Sequence, residues 1–381
     1  MGTDIAFGAL TLAALLLAGW QWLEGLLFPL HRRIRRRNYA PPVTVLKPLM
    51  GANEHTRVCL ESWMVQNYPG PMEIIFLADR EDDPVCQVVR ELMAAHPDVD
   101  ASLAVCPEPL GPNAKVSKLA EGERRARHSL LVVSDADVRA APDLLINLVA
   151  RFHHESAGLV ACLYRVADPV GLAQQCEAAA VNSDFWTGVL QARRLGGLRF
   201  ALGAAIAVRK AALEKIGGFA SLADLLADDF WLGRRIFEAG YGVSLCPVVV
   251  DCRHPQQSWK ETWRRQLRWA RTIRANMPAG YFAAIVSNLT LWPTLWNLVA
   301  PDPLSVSCLA GALLVRIATA LDNQRRLNQS WAHLPWFWMP PLKDLCQALL
   351  WIAAFTGNRV EWGGRRFRVD RRGRLIPIPS R

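Results

Sequence analysis

The chain has 381 residues, 51% of them hydrophobic and 20% charged, with a formal net charge of +10. Its basic residues cluster beside apolar segments and no nucleic-acid motif accompanies them, so the charge points to an anionic membrane surface and excludes nucleic acid as the partner. The nine cysteines are scattered, odd in number and without a CxxC pair, which excludes a disulfide framework or a zinc site and fits a reduced, cytosolic setting.

Residues 5–23 carry no charge and are long enough to span a bilayer. The cluster His31-Arg-Arg-Ile-Arg-Arg-Arg37 follows, and the positive-inside rule puts it and what comes after it in the cytosol. A cleaved signal peptide is the competing reading. The segment before the apolar run holds Asp4 and no Lys or Arg, which disfavours it. The expected organisation is a transmembrane anchor at 1–30, a basic juxtamembrane linker at 31–41 and a cytosolic domain at 42–277. Membrane segments at 278–358 and a basic tail at 359–381 complete it.

Within 42–277, short apolar runs at 43–46, 73–77 and 130–133 read as buried strands. Residues 84–96, opened by Asp82, Asp83 and Pro84, read as a helix. Strands alternating with helices predict an α/β domain with a mostly parallel sheet, and ligands then sit at the carboxyl ends of its strands. Ser258-Trp-Lys-Glu261 has capping-box spacing and starts an interfacial helix at 258–274. Trp259, Trp263 and Leu267 share one face of it, while Arg265 and Arg268, three apart, share another, with Trp269 following. Such a helix rests its aromatic face at the membrane and turns guanidinium groups toward a phosphate.

From Arg274 to Asp302 there is no charge. Residues 281–300 are expected to span the membrane. Pro301-Asp-Pro303 is expected to turn, and residues 304–321 to return with Arg316 snorkelling or facing a neighbour. Trp336-Phe-Trp-Met-Pro-Pro341 resembles an interfacial aromatic belt, 345–355 is short for a span, and the strongly basic stretch 365–374 is expected in the cytosol.

The carboxylates carry the chemistry. Asp135 and Asp137 follow an apolar strand, and positions i and i+2 of an extended segment face the same way. Both can meet one divalent cation that bridges the phosphates of a nucleotide; the bland alternative is a solvated turn. Asp79 ends another strand, where it either accepts from a nucleoside or caps the strand. Asp228-Asp229 opens an amphipathic helix, as a cap or as a general base toward an alcohol.

In order along the chain, Asp79, Asp135-x-Asp137, Asp229, Arg265-x-x-Arg268-Trp269 and the membrane segments resemble the D, D, D, (Q/R)xxRW series of inverting family 2 glycosyltransferases. Val45-Leu-Lys-Pro-Leu49, Gln66-Asn-Tyr-Pro69, Gly111-Pro-Asn-Ala-Lys115, Gly217-Gly-Phe219 and Trp362-Gly-Gly-Arg-Arg-Phe-Arg368 bring the likeness closer to ceramide glucosyltransferases and bacterial hopanoid glycosyltransferases, glycosyltransferase family 21. The chain departs from the pattern at Lys118, where Asn is usual. The resemblance implies a GT-A (Rossmann-like, nucleotide-sugar-binding) fold with N- and C-terminal transmembrane helices. It implies a UDP-sugar donor, a divalent cation (Mg2+ or Mn2+) and a lipid alcohol acceptor such as ceramide or a hopanoid. It assigns Asp79, Asp135 and Lys115 to the donor, Asp135 and Asp137 to the metal, and Asp229 to the base. Arg265, Arg268 and Trp269 form a donor and acceptor wall. The rival readings are a processive polysaccharide synthase, which would need more spans, and an inactive lipid-binding scaffold, which would not need intact carboxylates.

Overall fold

The computed structural model describes residues 2–34 and 38–379. Arg35, Arg36 and Arg37 of the basic cluster lie outside the described residues. The chain forms two compact units, Pro29–Ala167 with Gly196–Pro255, and Met1–Phe28 with Asp168–Leu195 and Gln256–Arg381. Neither edge of the expected 42–277 domain is a boundary between these units. Asp168–Leu195 leaves the sheet unit for the helical one, because Cys176 and Ala179 pack there against Met339.

The sheet unit is built on eight strands: β1 Val43–Pro48, β2 Met72–Ala78, β3 Ala101–Val105, β4 Leu130–Ser134, β5 Val138–Arg139, β6 Ala157–Val166, β7 Ala205–Arg209 and β8 Gly242–Cys252. Their order is β3-β2-β1-β4-β7-β6-β8-β5. The first four are parallel, as the alternating pattern predicts. The sheet stays mostly parallel beyond them, since β6 and β8 also pair in parallel; the exceptions are β7, antiparallel to both β4 and β6, and β5, antiparallel to β8. β1 and β4 are buried along their whole length. Strands covered on both faces read as continuous apolar runs, which is why these were visible in the sequence. The core gathers Val45, Phe76, Val132, Val160 and Val250 around Trp63, whose indole N–H donates to Val138 O at 3.1 Å. Register sets Pro48 beside Leu77 and Leu46 beside Val133. The carboxyl ends of β1, β2 and β4 therefore share one edge, at the point where strand order reverses and ligands of open α/β sheets bind.

In the helical unit, Asp4–Leu27 and Pro303–Asn328 are long and apolar enough to cross a membrane. Residues 281–300 do not form the straight span expected. Pro278–Ser287 and Leu291–Val299 meet at a 60° bend. The break is held by polar bonds: Asn288 Nδ2 donates to Asp344 O at 2.8 Å, Thr290 Oγ1 to Asp344 Oδ2 at 2.7 Å, and Asn288 Oδ1 accepts from Leu291 N–H at 2.9 Å. Arg316 is buried and faces neighbours instead of snorkelling; Nε donates to Asp344 at 2.7 Å and an Nη to Asp184 at 2.7 Å. Asp184 sits in a π-helical turn, Ala180–Phe185. Lys343 completes this balanced buried cluster. The expected turn at 301–303 ends in a capping box from Asp302 to Ser305.

The segment 359–381, expected as a tail, instead folds through Pro377 as an antiparallel sheet: β9 Arg359–Trp362, β10 Arg365–Val369 and β11 Leu375–Pro377. Gly363 and Gly364, at φ 56° and 72°, supply the two left-handed residues that a tight hairpin turn requires. Arg274 donates to Gly357 O at 2.9 Å and tethers the start of this sheet.

Candidate active site

Asp135 and Asp137 do not lie in an extended segment. They occupy the turn between β4 and β5, closed by Val138 N–H to Asp135 O at 3.3 Å, with Asp135 N–H donating to Ala204 O at 3.2 Å. The turn, not strand alternation, sets their directions. The carboxylates part company: Asp135 accepts from Lys115 Nζ at 2.6 Å and Asp137 from His254 Nδ1 at 3.0 Å. His254 stands just past β8, and nothing local in the sequence marks it. Beneath the turn Lys47, fully buried on β1, donates to Asp135 O at 2.5 Å and Ser134 Oγ at 3.2 Å. Burial pulls its ammonium down to about 8.

Lys115 is placed by the motif that precedes it. A Cβ on Gly111 would stand 2.9 Å from Ala223 O, so only glycine admits this approach. Asn113 caps the helix Ala114–Arg125 and donates through Nδ2 to Leu225 O at 2.7 Å. That docking carries Lys115 to Asp135 and to within 3.6 Å of Asp228. Burial opposes its charge, but the charges of Asp135 and Asp228 outweigh it and raise its pKa.

The helix Asp228–Glu238 starts where expected. Gly233 lets it press on the backbone of Phe200 and Ala201, where a Cβ would stand 2.3 Å from Ala201 N. Asp229 Oδ2 lies 3.0 Å from the position of a Cβ on Gly203, so a side chain there would crowd the carboxylate. Asp229 Oδ1 accepts from Phe230 N–H at 2.8 Å. Burial first, and then the charge of Asp228, push the Asp229 carboxyl up to about 6 against the pull of Lys115. Burial also raises Asp135 against Lys115. Burial would raise Asp137 as well, but the His254 hydrogen bond and charge overcome it and hold Asp137 below its ordinary value. Environments that drive neighbouring carboxyls apart in this way mark different chemical roles.

The surroundings of Lys115 carry Asp135, Asp137, Asp228 and Asp229, an excess of negative charge that a divalent cation would relieve. Oxygen donors suit Mg2+ or Mn2+. Among the described residues no three His, Cys, Asp or Glu side chains are grouped so that they could hold a metal ion by themselves. A site of this kind fits a cation that takes the rest of its ligands from substrate phosphates.

Asp79 stands one residue beyond β2 and accepts from Lys118 Nζ at 2.9 Å. Arg265, Arg268 and Trp269 belong to the helical unit, on the helix Trp259–Asn276, which begins with the expected capping box at Ser258. Arg265 is held by the fully buried Glu177 and stacks over Trp269 at 5.8 Å; Gln266 bonds the same carboxylate at 3.2 Å. Glu177 lies 88 residues before Arg265, and no sequence pattern links them. Removing one partner of a buried pair leaves an uncompensated charge. Glu177→Gln is therefore expected to lower unfolding stability by about 3–5 kcal/mol, read by denaturant melts of the detergent-solubilised chain. Unchanged stability would show the pair to be energetically idle.

The family model Glycosyl transferase family 21 matches residues 6–375. Ceramide glucosyltransferase 1 of Caenorhabditis elegans is 27% identical over 262 residues, 66% of this chain and 54% of that protein, so the match spans about half the relative's length. Ceramide glucosyltransferase 3 of the same organism is 23% identical over 360 residues, 92% of this chain and 77% of the relative. A mannosyltransferase from Pyrobaculum calidifontis, solved with GDP-Man and Mn2+, superposes with a TM-score of 0.54 at 22% identity, over 91% of this chain and 98% of that one. The fold is thus of the GT-A type.

Proposed function

The chain belongs to glycosyl transferase family 21, and from that membership we propose that it is a membrane-bound, inverting hexosyltransferase. It moves glucose or N-acetylglucosamine from a UDP-sugar to a lipid alcohol such as ceramide or a hopanoid. The observation that carries the reading is the gathering of carboxylates past the end of β4, with Lys115 2.6 Å from Asp135 and 3.6 Å from Asp228, Asp137 on His254 at 3.0 Å, and Asp229, which burial pushes up to about 6, beside them, while Asp137 is held low. One is poised to take a proton, the other to stay charged.

In this reading Asp79 holds the nucleoside, and Asp135 and Asp137 would hold a divalent cation, with His254 orienting Asp137 through its 3.0 Å bond. When bound, that cation neutralises charge on the leaving diphosphate. Lys115 adds a point charge to the same phosphates. Asp229 takes the acceptor hydroxyl proton as the oxygen bonds to the anomeric carbon. The bond from that carbon to the diphosphate oxygen breaks, and the electron pair leaves with the diphosphate. Arg265, Arg268 and Trp269 are assigned to the donor and acceptor wall. Membranes holding the protein, incubated with labelled UDP-sugars and a lipid extract, are expected to yield a monohexosyl lipid by mass spectrometry, β-linked by the NMR coupling of its anomeric proton. A polymer product, or nucleotide binding without transfer, would overturn the assignment.

The catalytic unit is proposed to face the cytosol, at the inner or plasma membrane in a bacterium, because Arg32 and Arg33 and the arginines after them follow the first apolar helix. The basic surface would then meet anionic lipid. In sealed inside-out vesicles, protease is expected to cut residues 42–277; protection there would reverse the orientation.

A further inference from the structure

Lys118 is a departure that the function above does not use. It is 4% exposed, on the helix Ala114–Arg125, one turn after Lys115. A buried ammonium is tolerated only when its donors are taken up, and two of its three are: Nζ donates to Leu49 O at 2.7 Å and to Asp79 Oδ2 at 2.9 Å. Leu49 follows β1 and Asp79 follows β2, so one lysine ties the ends of two adjacent parallel strands to the helix beside them. The Asp79 side chain stays 34% exposed and reachable by a ligand.

Resting on the nucleoside role of Asp79 proposed above, we propose that Lys118 is the positioning residue that makes this carboxylate selective for a uracil base. An ionised carboxylate has two oxygens with which to accept. Each oxygen has two lone pairs, so the charge-assisted bond from Lys118 does not close Oδ2 but fixes the orientation of the carboxylate and leaves Oδ1 the freer acceptor. Uracil presents one imide N–H flanked by two carbonyls. A single carboxylate oxygen takes that N–H, and a neighbouring ammonium favours the carbonyl beside it. Guanine presents two adjacent N–H groups and is best held by both oxygens of a carboxylate that carries no other partner. Cytosine presents an acceptor nitrogen, which a carboxylate oxygen repels. The ion pair therefore selects by orienting Oδ1 to one N–H with an ammonium beside it for the neighbouring carbonyl.

The test is titration of UDP, GDP and CDP into the full-length, detergent-solubilised protein and its variants, with a melting curve for each. The parent is expected to prefer UDP. Lys118→Met is expected to weaken UDP by roughly 10- to 100-fold, the worth of the charge-assisted hydrogen bond that the ammonium would offer the uracil carbonyl, and to bring the UDP:GDP ratio close to one. Lys118→Arg, which keeps a charged donor, is expected to keep the preference. The near-isosteric Asp79→Asn covers the case in which Lys118→Met fails to fold. Its carbonyl stays with Lys118, its NH2 group turns to the base, and the CDP:UDP ratio is expected to rise. A UDP:GDP:CDP order unchanged in a folded Lys118→Met or in Asp79→Asn overturns the proposal. A parent that binds none of the three overturns the glycosyltransferase reading itself, a different outcome from binding without selectivity.

Discussion

Asp229→Asn is expected to cut sugar transfer by about 10²–10⁴-fold, the usual worth of general-base help, while nucleotide-sugar affinity stays near the parent value. An aliphatic hydroxyl ionises far above neutral pH, so its attack needs a proton acceptor. Asp229 is raised to about 6 by burial and by the charge of Asp228. At neutral pH it is ionised yet more basic than an ordinary carboxylate. Since the working form is the deprotonated one, the rate should be flat above about pH 6 and fall as pH drops through that value. The Asn variant should lose this limb along with the rate. Asp228, 3.6 Å from Lys115, is a neighbour of the base and not its substitute, so Asp228→Asn should do much less. Rates and donor affinities for both variants, and the anomeric configuration of the product, decide the matter. Parent-rate transfer by Asp229→Asn, or retention of the donor's α configuration, would end the inverting assignment.

Asp137→Asn is expected to remove the metal dependence of donor binding, and Asp135→Asn to weaken it. An amide keeps the shape of either side chain and drops the charge that holds a cation. The two should not be equal. Burial works against the charge of both, but the bond to His254 overcomes it and holds Asp137 low, whereas Lys115 does not overcome it at Asp135. Chelation of the parent should reproduce the Asp137→Asn phenotype. The check is UDP-sugar affinity with and without Mn2+ in each protein. Affinity that ignores both substitutions and the chelator would reduce this turn to a structural element.

Much of the sheet was legible because its signals are local. β1, β2 and β4 are apolar runs since both faces are covered, and the interfacial helix announces itself by Ser258 and Glu261, three residues apart. The second half of the sheet was harder. β6 and β8 carry polar and bulged positions, so their periodicity is broken. The bend at 288–290 was missed because the stretch is free of charge and long enough to span, and the partner that Asn288 and Thr290 bond there, Asp344, lies more than fifty residues on. The three-stranded sheet at the end was hidden by its arginines, which lie on exposed faces while Val360, Phe367 and Val369 turn inward.

By itself the sequence determined that Asp79 and Asp135 follow strands, that Asp228 and Asp229 open a helix, and that long apolar helices lie on either side of them in the chain. Those are properties of neighbours in the chain: hydrophobic period, capping spacing, charge beside an apolar run. Only the tertiary structure decided what each charged group faces. Asp137 meets His254, Lys118 meets Asp79, Arg265 meets Glu177 and Arg316 meets Asp184 and Asp344. These partners lie 39 residues apart in the Lys118 pair and 132 in the pair of Arg316 with Asp184. A charge removed from water must find its partner wherever packing delivers one, and no local pattern records where that is.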